Sequence, residues 1–368
     1  MTDPLKTYYD GLSSPPLPIS TKTYPIAGIL TTVFGLDELP SDASEVAVLW
    51  LLHPRLATHE SMTGIASATI NDWNQRIRDG RTGSSKSVKG LIAVAFDQRN
   101  HGTRLVDTLG NEAWRQGNPR HAQDMFAMFQ GTARDVSLLM DYFPSYIFPK
   151  SEHTISENLV LGVSLGGHAA WSCILHDPRV SAGVVIIGCP DYLNLMVDRA
   201  RLSKIPSWTG TNPPGSQILG SEAFPSTLLD TIRRYDPASF FLSHMDPKTD
   251  TGILRTKPLP QPSEKEKQVL RPAFSRCLTG KRILNISGGV DKLVPYHRGQ
   301  IFLTWLKDAI SPSGWFSDGA VTFEDIIDEN AGHEVTTKMV DEAVRFVSET
   351  LANSYDSTKP GSVRESKI

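Results

Sequence analysis

The sequence predicts an α/β fold, a mainly parallel central sheet with helices on both faces. Three observations carry that prediction: short runs apolar at every position, amphipathic stretches between them, and a long interval after residue 190 without a strand-like run. A strand with one face in water alternates apolar and polar residues, whereas one covered on both faces reads as continuously apolar. Segments 46–52 (VAVLWLL), 91–96 (LIAVAF), 159–163 (LVLGV) and 184–187 (VVII) are of the second kind, and 282–286 (RILNI) is close to it, with Ile283, Leu284 and Ile286 apolar. Their covering helices follow from apolar residues spaced three and four apart in 61–79, 121–142, 166–176, 298–310 and 337–352. Between 191 and 279 stand only polar helical fragments and Pro-rich turns, such as 211–215 (TNPPG) and 257–262 (KPLPQP). Strand-like sequence resumes at Arg282, so this interval is expected to be a helical cap inserted into one domain spanning 23–352. The Pro- and Ser-rich 1–22 and the polar 353–368 are expected to be loosely held.

Composition narrows the function classes. With 368 residues, 37 Lys+Arg against 40 Asp+Glu and a formal charge of −3, the chain offers no electrostatic footprint for nucleic acid or an anionic membrane. The strongest apolar run, 46–52, is far short of the roughly 20 residues of a membrane helix. Residues 1–20 lack the apolar core of a secretory signal. Three scattered cysteines, Cys173, Cys189 and Cys277, suit neither a disulfide framework nor a thiolate zinc site. A small-molecule partner, no metal and no cofactor are the expectation; oligomeric state is not encoded in any pattern here. The chain ends Ser366-Lys367-Ile368, one residue from the Ser-Lys-Leu peroxisomal address, so peroxisomal targeting is expected, with the cytoplasm as the alternative.

The strongest chemical signal is Gly162-Val163-Ser164-Leu165-Gly166-Gly167, which follows an apolar strand and opens a helical stretch. In a nucleophile elbow the serine sits on a strained strand-to-helix turn, and flanking glycines are needed because side chains there collide with neighbouring backbone. A serine hydroxyl needs a base, and the base needs an orienting acid. His333, in Asn330-Ala-Gly-His-Glu334, lies after the extended run 321–327 and before the final helix. Two acids lie just past strand ends: Asp291, in Ser287-Gly-Gly-Val-Asp291, and Asp191, in Gly188-Cys-Pro-Asp191. Asp291 is the preferred acid, because two glycines before it and Val294-Pro295 after it form a tight loop at the sheet edge. The order Ser, Asp, His is that of the α/β-hydrolases and differs from both other serine-protease orders.

These residues resemble the α/β-hydrolase superfamily over about residues 24–352, in its esterase and dienelactone-hydrolase-like branch. Phe96-Asp97-Gln98-Arg99-Asn100-His101-Gly102-Thr103-Arg104 and Gly188-Cys189-Pro190-Asp191-Tyr192 are similar to segments of intracellular fungal members tied to secondary metabolism. With the Ser-Lys-Ile ending, the chain also resembles the peroxisomal hydrolases of host-selective toxin clusters. The resemblance implies a serine hydrolase of a carboxylic ester or thioester, working through an acyl-enzyme. It implies an oxyanion hole of backbone N–H groups after the third strand and after the nucleophile. Here those are Arg55 and Leu165, with Leu56 replacing Arg55 if the loop shifts by one; the family's His-Gly is His53-Pro54, and proline removes only its own N–H. The same triad serves a peptidase or a C–C-bond hydrolase, and a silent hydrolase fold serves as a binding protein; these are the alternatives.

Weaker patterns have structural explanations. Asp97 and His101 follow a strand at a turn that is usually structural in related hydrolases. Residues 80–87 (GRTGSSKS) nearly match a phosphate-binding loop but follow a helix. Asn285-Ile-Ser287 is a glycosylation sequon at a buried strand end. His53, His59 and His101 have no metal-site spacing. Leu193, Leu195, Met196, Trp208 and Phe240 are expected to pack the cap core, or else to line a pocket.

Overall fold

The computed structural model describes residues 3–83, 88–245, 254–353 and 363–368. The near phosphate-loop pattern at 80–87 therefore lies partly outside the described residues. A single nine-stranded sheet runs in the order β1-β2-β4-β3-β5-β6-β7-β8-β9. Its strands are β1 (Thr21–Ile26), β2 (Ile29–Phe34), β3 (Glu45–Leu52), β4 (Lys89–Phe96), β5 (Thr154–Val163), β6 (Val180–Ile186), β7 (Arg282–Gly288), β8 (Thr322–Asp328) and β9 (Val363–Lys367). The first two pair antiparallel, β2 joins β4 antiparallel, and from β4 onward the sheet is parallel. Each of these runs lies in a parallel strand except for Ile187, which follows the end of β6, and 46–52 is buried at every position.

Helices cover both faces: α2 (Thr63–Arg78), α3 (His121–Ile147), α4 (Leu165–His176), α10 (Tyr296–Ile310) and α11 (Thr337–Asn353). One core, with Trp50, Phe143 and Trp171, lies beneath α3 and α4; the other, with Leu49, Leu161, Ile286 and Phe346, lies beneath α2 and α11. Full burial of such a side chain contributes about 1.5–3 kcal/mol, so sandwiching the strands supplies much of the drive to fold. Between β6 and β7 the described residues form only helices: α5 (Tyr192–Ser203), α6 (Pro206–Thr209), α7 (Ser226–Tyr235), α8 (Pro237–Leu242) and α9 (Glu264–Leu278). Two cap residues named above, Leu195 and Met196, are buried in cores, whereas Leu193 lines an apolar cavity of about 440 Å³ with Leu229, Leu242 and Arg255.

The described parts of both terminal segments carry regular structure. Helix α1 (Lys6–Gly11) forms in the N-terminal segment because Leu5 and Tyr8 bury themselves beneath α2 and α11. Beyond residue 362, β9 pairs with β8 although its sequence is VRESK, since an edge strand holds charges at its rim. Arg364 reaches Glu324 at 3.0 Å, and Lys367 pairs with Glu329. Ser366 and Lys367 of the terminal tripeptide thus lie in a sheet ladder, and Ile368 donates its N–H to Ile327 O at 2.9 Å. The β1–β2 hairpin also carries no strong sequence signal. Its turn residues, Ala27 (φ 50°) and Gly28 (φ 80°), both sit in the left-handed region that such a two-residue turn requires.

Candidate active site

The sheet sets three loops side by side because β5, β6, β7 and β8 are successive neighbours running the same way. Ser164 stands between β5 and α4 with φ 54° and ψ −110°, a strained conformation for a residue with a side chain. The strain is imposed by packing. A Cβ on Gly162 would lie 1.9 Å from Gly166 O, and one on Gly166 would lie 2.0 Å from Leu52 O, so both flanking positions exclude any other residue. The elbow N–H is fixed as well, donating from Ser164 to Ile186 O at 2.9 Å.

Ser164 Oγ lies 2.9 Å from His333 Nε2, and His333 Nδ1 lies 2.8 Å from Asp291 Oδ2. The other oxygen of Asp291 accepts the N–H groups of Leu293 at 2.7 Å and Val294 at 2.9 Å. Burial alone would raise the pKa of this carboxyl, but the His333 bond and the two N–H bonds outweigh it and hold the pKa below the ordinary value. An ionised, fixed carboxylate accepting from Nδ1–H leaves Nε2 as the lone-pair nitrogen facing the hydroxyl. The glycines before Asp291 let its loop approach that of His333: a Cβ on Gly288 would meet Gly332 O at 2.4 Å.

Asp191, the alternative acid, is committed elsewhere. It caps α5 by accepting from Asn194 N at 3.1 Å, and it forms a buried ion pair with Arg255. Leu165 is the first residue of α4, where helix N–H groups have no internal acceptor and the helix dipole favours negative charge. Arg55 and Leu56 occupy a turn closed by Ala57 N–H on Pro54 O at 3.3 Å, with Leu56 at φ 65°. That turn directly follows Leu52 and His53, whose carbonyls abut Gly166.

Several supporting residues carry no motif. His53 is buried; its Nδ1–H donates to Pro54 O at 2.8 Å and its Nε2 accepts from Gln98 N–H at 2.9 Å, which pins the loop after β3 to the loop after β4. Burial drops its pKa to about 3, so the ring is neutral, as this bonding requires. Asp97 accepts from His59 N and Nδ1, each at 2.9 Å, and from Thr103 N and Oγ1, each at 2.8 Å, and is a clamp for its own turn. His101 stacks edge-on against His53 at 5.4 Å. Asn285 of the sequon is fully buried and donates to Asp325 at 2.9 Å.

Glu334 links the His333 loop to the N-terminal helix. Its carboxylate accepts from Gly332 N at 3.1 Å and from Thr7 Oγ1 at 2.7 Å, and Val335 N donates to Pro4 O at 2.8 Å. The result is a cleft of about 530 Å³ bounded by Pro4, Thr7, Leu293, Gly332, His333 and Glu334. Among the described residues no group of three or more His, Cys, Asp or Glu side chains is placed to hold a metal, and no helix is long and apolar enough to cross a membrane. The three cysteines are free and buried.

No protein-family model and no curated protein matches the chain. Solved structures do. The crystal structure of TT1662 from Thermus thermophilus aligns over 91% of this chain and 99% of its own, with a TM-score of 0.51 and 15% identity. A cold-adapted esterase from an Arctic intertidal metagenomic library covers 90% of this chain and 93% of its own (TM-score 0.45, 11% identity). Est1E from Butyrivibrio proteoclasticus, solved with ferulic acid, covers 90% and 97% (TM-score 0.41, 11% identity). The sheet order, its parallel body and the likeness to TT1662 define an α/β-hydrolase fold.

Proposed function

We propose that the protein is a serine hydrolase that cleaves a carboxylic ester or thioester of a small molecule. The observation that carries this is the continuous chain Ser164 Oγ–His333 Nε2 at 2.9 Å and His333 Nδ1–Asp291 Oδ2 at 2.8 Å, set on a strained elbow. His333 takes the proton of Ser164 as the hydroxyl attacks the acyl carbon, and Asp291 stabilises the imidazolium that forms. The N–H groups of Leu165 and Arg55 donate to the developing oxyanion. His333 then protonates the leaving alcohol or thiol and next activates the water that releases the acyl-enzyme. No step in this sequence calls for a cofactor.

Replacing Ser164 with Ala is expected to lower the turnover of a chromogenic short-acyl ester by about 10³-fold or more while leaving the melting temperature near that of the parent. A fluorophosphonate probe is expected to label the parent at Ser164 and to leave the variant unlabelled. An unlabelled parent with no turnover would assign the fold to a binding role. Turnover of amides or of a C–C bond in place of esters would move the reaction to the peptidase or C–C-hydrolase class.

A further inference from the structure

Two loops at the carboxyl edge of the sheet are tied to the same short helix, α1. Residues 53–62 leave β3, pass the turn at Arg55 and Leu56, and run directly into α2, whose first N–H groups have no acceptor within the helix. Met62, at the cap position, supplies no side-chain acceptor. The hydroxyl of Tyr9 on α1 takes that place, accepting from Gly64 N–H at 2.9 Å and donating to Ser61 O at 2.8 Å. Glycine at position 64 makes the approach possible, because a Cβ there would lie 2.7 Å from the Tyr9 ring and 3.0 Å from the Tyr8 ring.

The start of α1 holds the other loop. Thr7 Oγ1 donates to Glu334, which also accepts from Gly332 N–H, so the residues on both sides of His333 are fixed; Val335 N–H donates to Pro4 O. At the end of α1, Gly11 abuts the first residue of α11, where a Cβ on Gly11 would meet Thr337 Cγ2 at 3.2 Å. Between these attachments Leu5 and Tyr8 are buried beneath α2 and α11. A helix of six residues has no stability of its own, so contacts at both ends set its place. Loosening one end is therefore felt at the other.

We infer that α1 is a brace that sets the His333 loop against the loop carrying the expected Arg55 oxyanion donor, with Thr7 and Tyr9 as the positioning residues at its two ends. This rests on the hydrolase reading of the triad and adds to it residues that act through His333 without touching substrate. His333 Nε2 has to stay within hydrogen-bond reach of Ser164 Oγ, at 2.9 Å, while the acyl oxygen is held from another loop. A small shift of one loop against the other costs rate more than it costs binding, so the brace is read in kcat.

Turnover and hydrogen exchange test the brace separately. Thr7→Val and Tyr9→Phe each remove one hydroxyl, and each is expected to lower kcat on a 4-nitrophenyl short-acyl ester about two- to fivefold, with KM within about twofold of the parent. The double variant is expected to lose no more than about the larger single loss, because a brace cut at one end is already slack. Val347→Ala is the stability control: it lies in the same core, ten residues along α11 from Thr337 and so about 15 Å away at the helical rise. It is expected to lower the melting temperature at least as much as either hydroxyl variant and to leave kcat unchanged. Losses that multiply in the double variant, that fall on KM, or that Val347→Ala reproduces overturn the brace, as does a parental kcat in Tyr9→Phe. In exchange, Tyr9→Phe is expected to speed the Val335 amide, bonded to the opposite end of α1, by about threefold or more, and an unchanged Val335 amide also overturns it. If no ester is cleaved and Ser164 is not labelled, the hydrolase reading falls, while the exchange comparison still decides whether α1 braces the His333 loop.

Discussion

The carboxyl edge of the sheet and the cap above it solve the burial of charge in opposite ways. At the sheet edge Asp291 accepts three hydrogen bonds and its pKa is depressed, so its charge is held in place by structure. In the cap Asp236, at the start of α8, accepts from Tyr192 N at 2.8 Å and Ser239 N at 3.0 Å, yet burial and the nearby charge of Asp191 raise its pKa. The edge also has backbone contacts that no side chain survives, whereas the cap is made of short helices around an apolar cavity. The edge is built for one fixed geometry.

The largest effect that separates the two regions is expected from their acids. Asp291→Asn should lower kcat about 10²–10⁴-fold with the fold intact, because the amide misorients His333. Asp191→Asn should instead lower the melting temperature, since it breaks a buried ion pair with Arg255, while folded protein keeps a rate within about tenfold of the parent. Stopped-flow ester hydrolysis and thermal melts on both variants check this, and the reverse ranking would move the catalytic acid to Asp191. Next comes the elbow: Gly166→Ala is expected to destabilise by more than about 3 kcal/mol in urea titration, because its Cβ overlaps a backbone carbonyl that cannot rotate away. A near-parental midpoint would show the edge to be softer than these contacts imply.

Smaller effects probe where the two regions meet. Thr7→Val removes the hydroxyl that anchors Glu334 and should lower kcat about two- to fivefold with little change in KM, the scale of one hydrogen bond acting through the His333 loop. A loss of equal size in stability alone would confine α1 to a structural role. The subtlest contrast is in pH. The depressed Asp291 contributes stability that is present above its unfolded pKa near 4 and lost as pH falls through its lower folded value. The raised Asp236 contributes stability that is present below its unfolded pKa and lost as pH rises through its folded value. Hydrogen exchange should therefore show α8 opening more readily as pH rises from 4 toward neutrality, after correction for intrinsic exchange, while the Asp291 loop holds steady over that range and loosens only as pH falls below about 4. Asp236→Asn should flatten the α8 response; parallel trends in both regions would remove the contrast.

Much of the sheet was legible because its signals are local. The run 46–52 is buried on both faces and therefore apolar throughout, and 162–167 had to carry glycines wherever a Cβ meets backbone. The hairpin β1–β2 and the strand β9 were not legible, since one turn is Ala-Gly and the other strand is charged; each is a strand only because a neighbour offers an unpaired edge. Helix α1 likewise depends on where Leu5 and Tyr8 find a core, which composition does not reveal.

By itself the sequence determined the α/β class, the elbow at Ser164 and a short set of partners for it, because periodicity and backbone sterics act over a few residues. Tertiary structure gave different contacts to Asp291 and Asp191, which stand in near-identical places past neighbouring strands: one accepts from His333 and the other is paired with Arg255. It also decided that Arg199 donates to the Leu293 carbonyl while Asp198 beside it pairs with Arg298. Those choices depend on distances between residues far apart in the chain, and such distances exist only once the cap has been laid on the sheet.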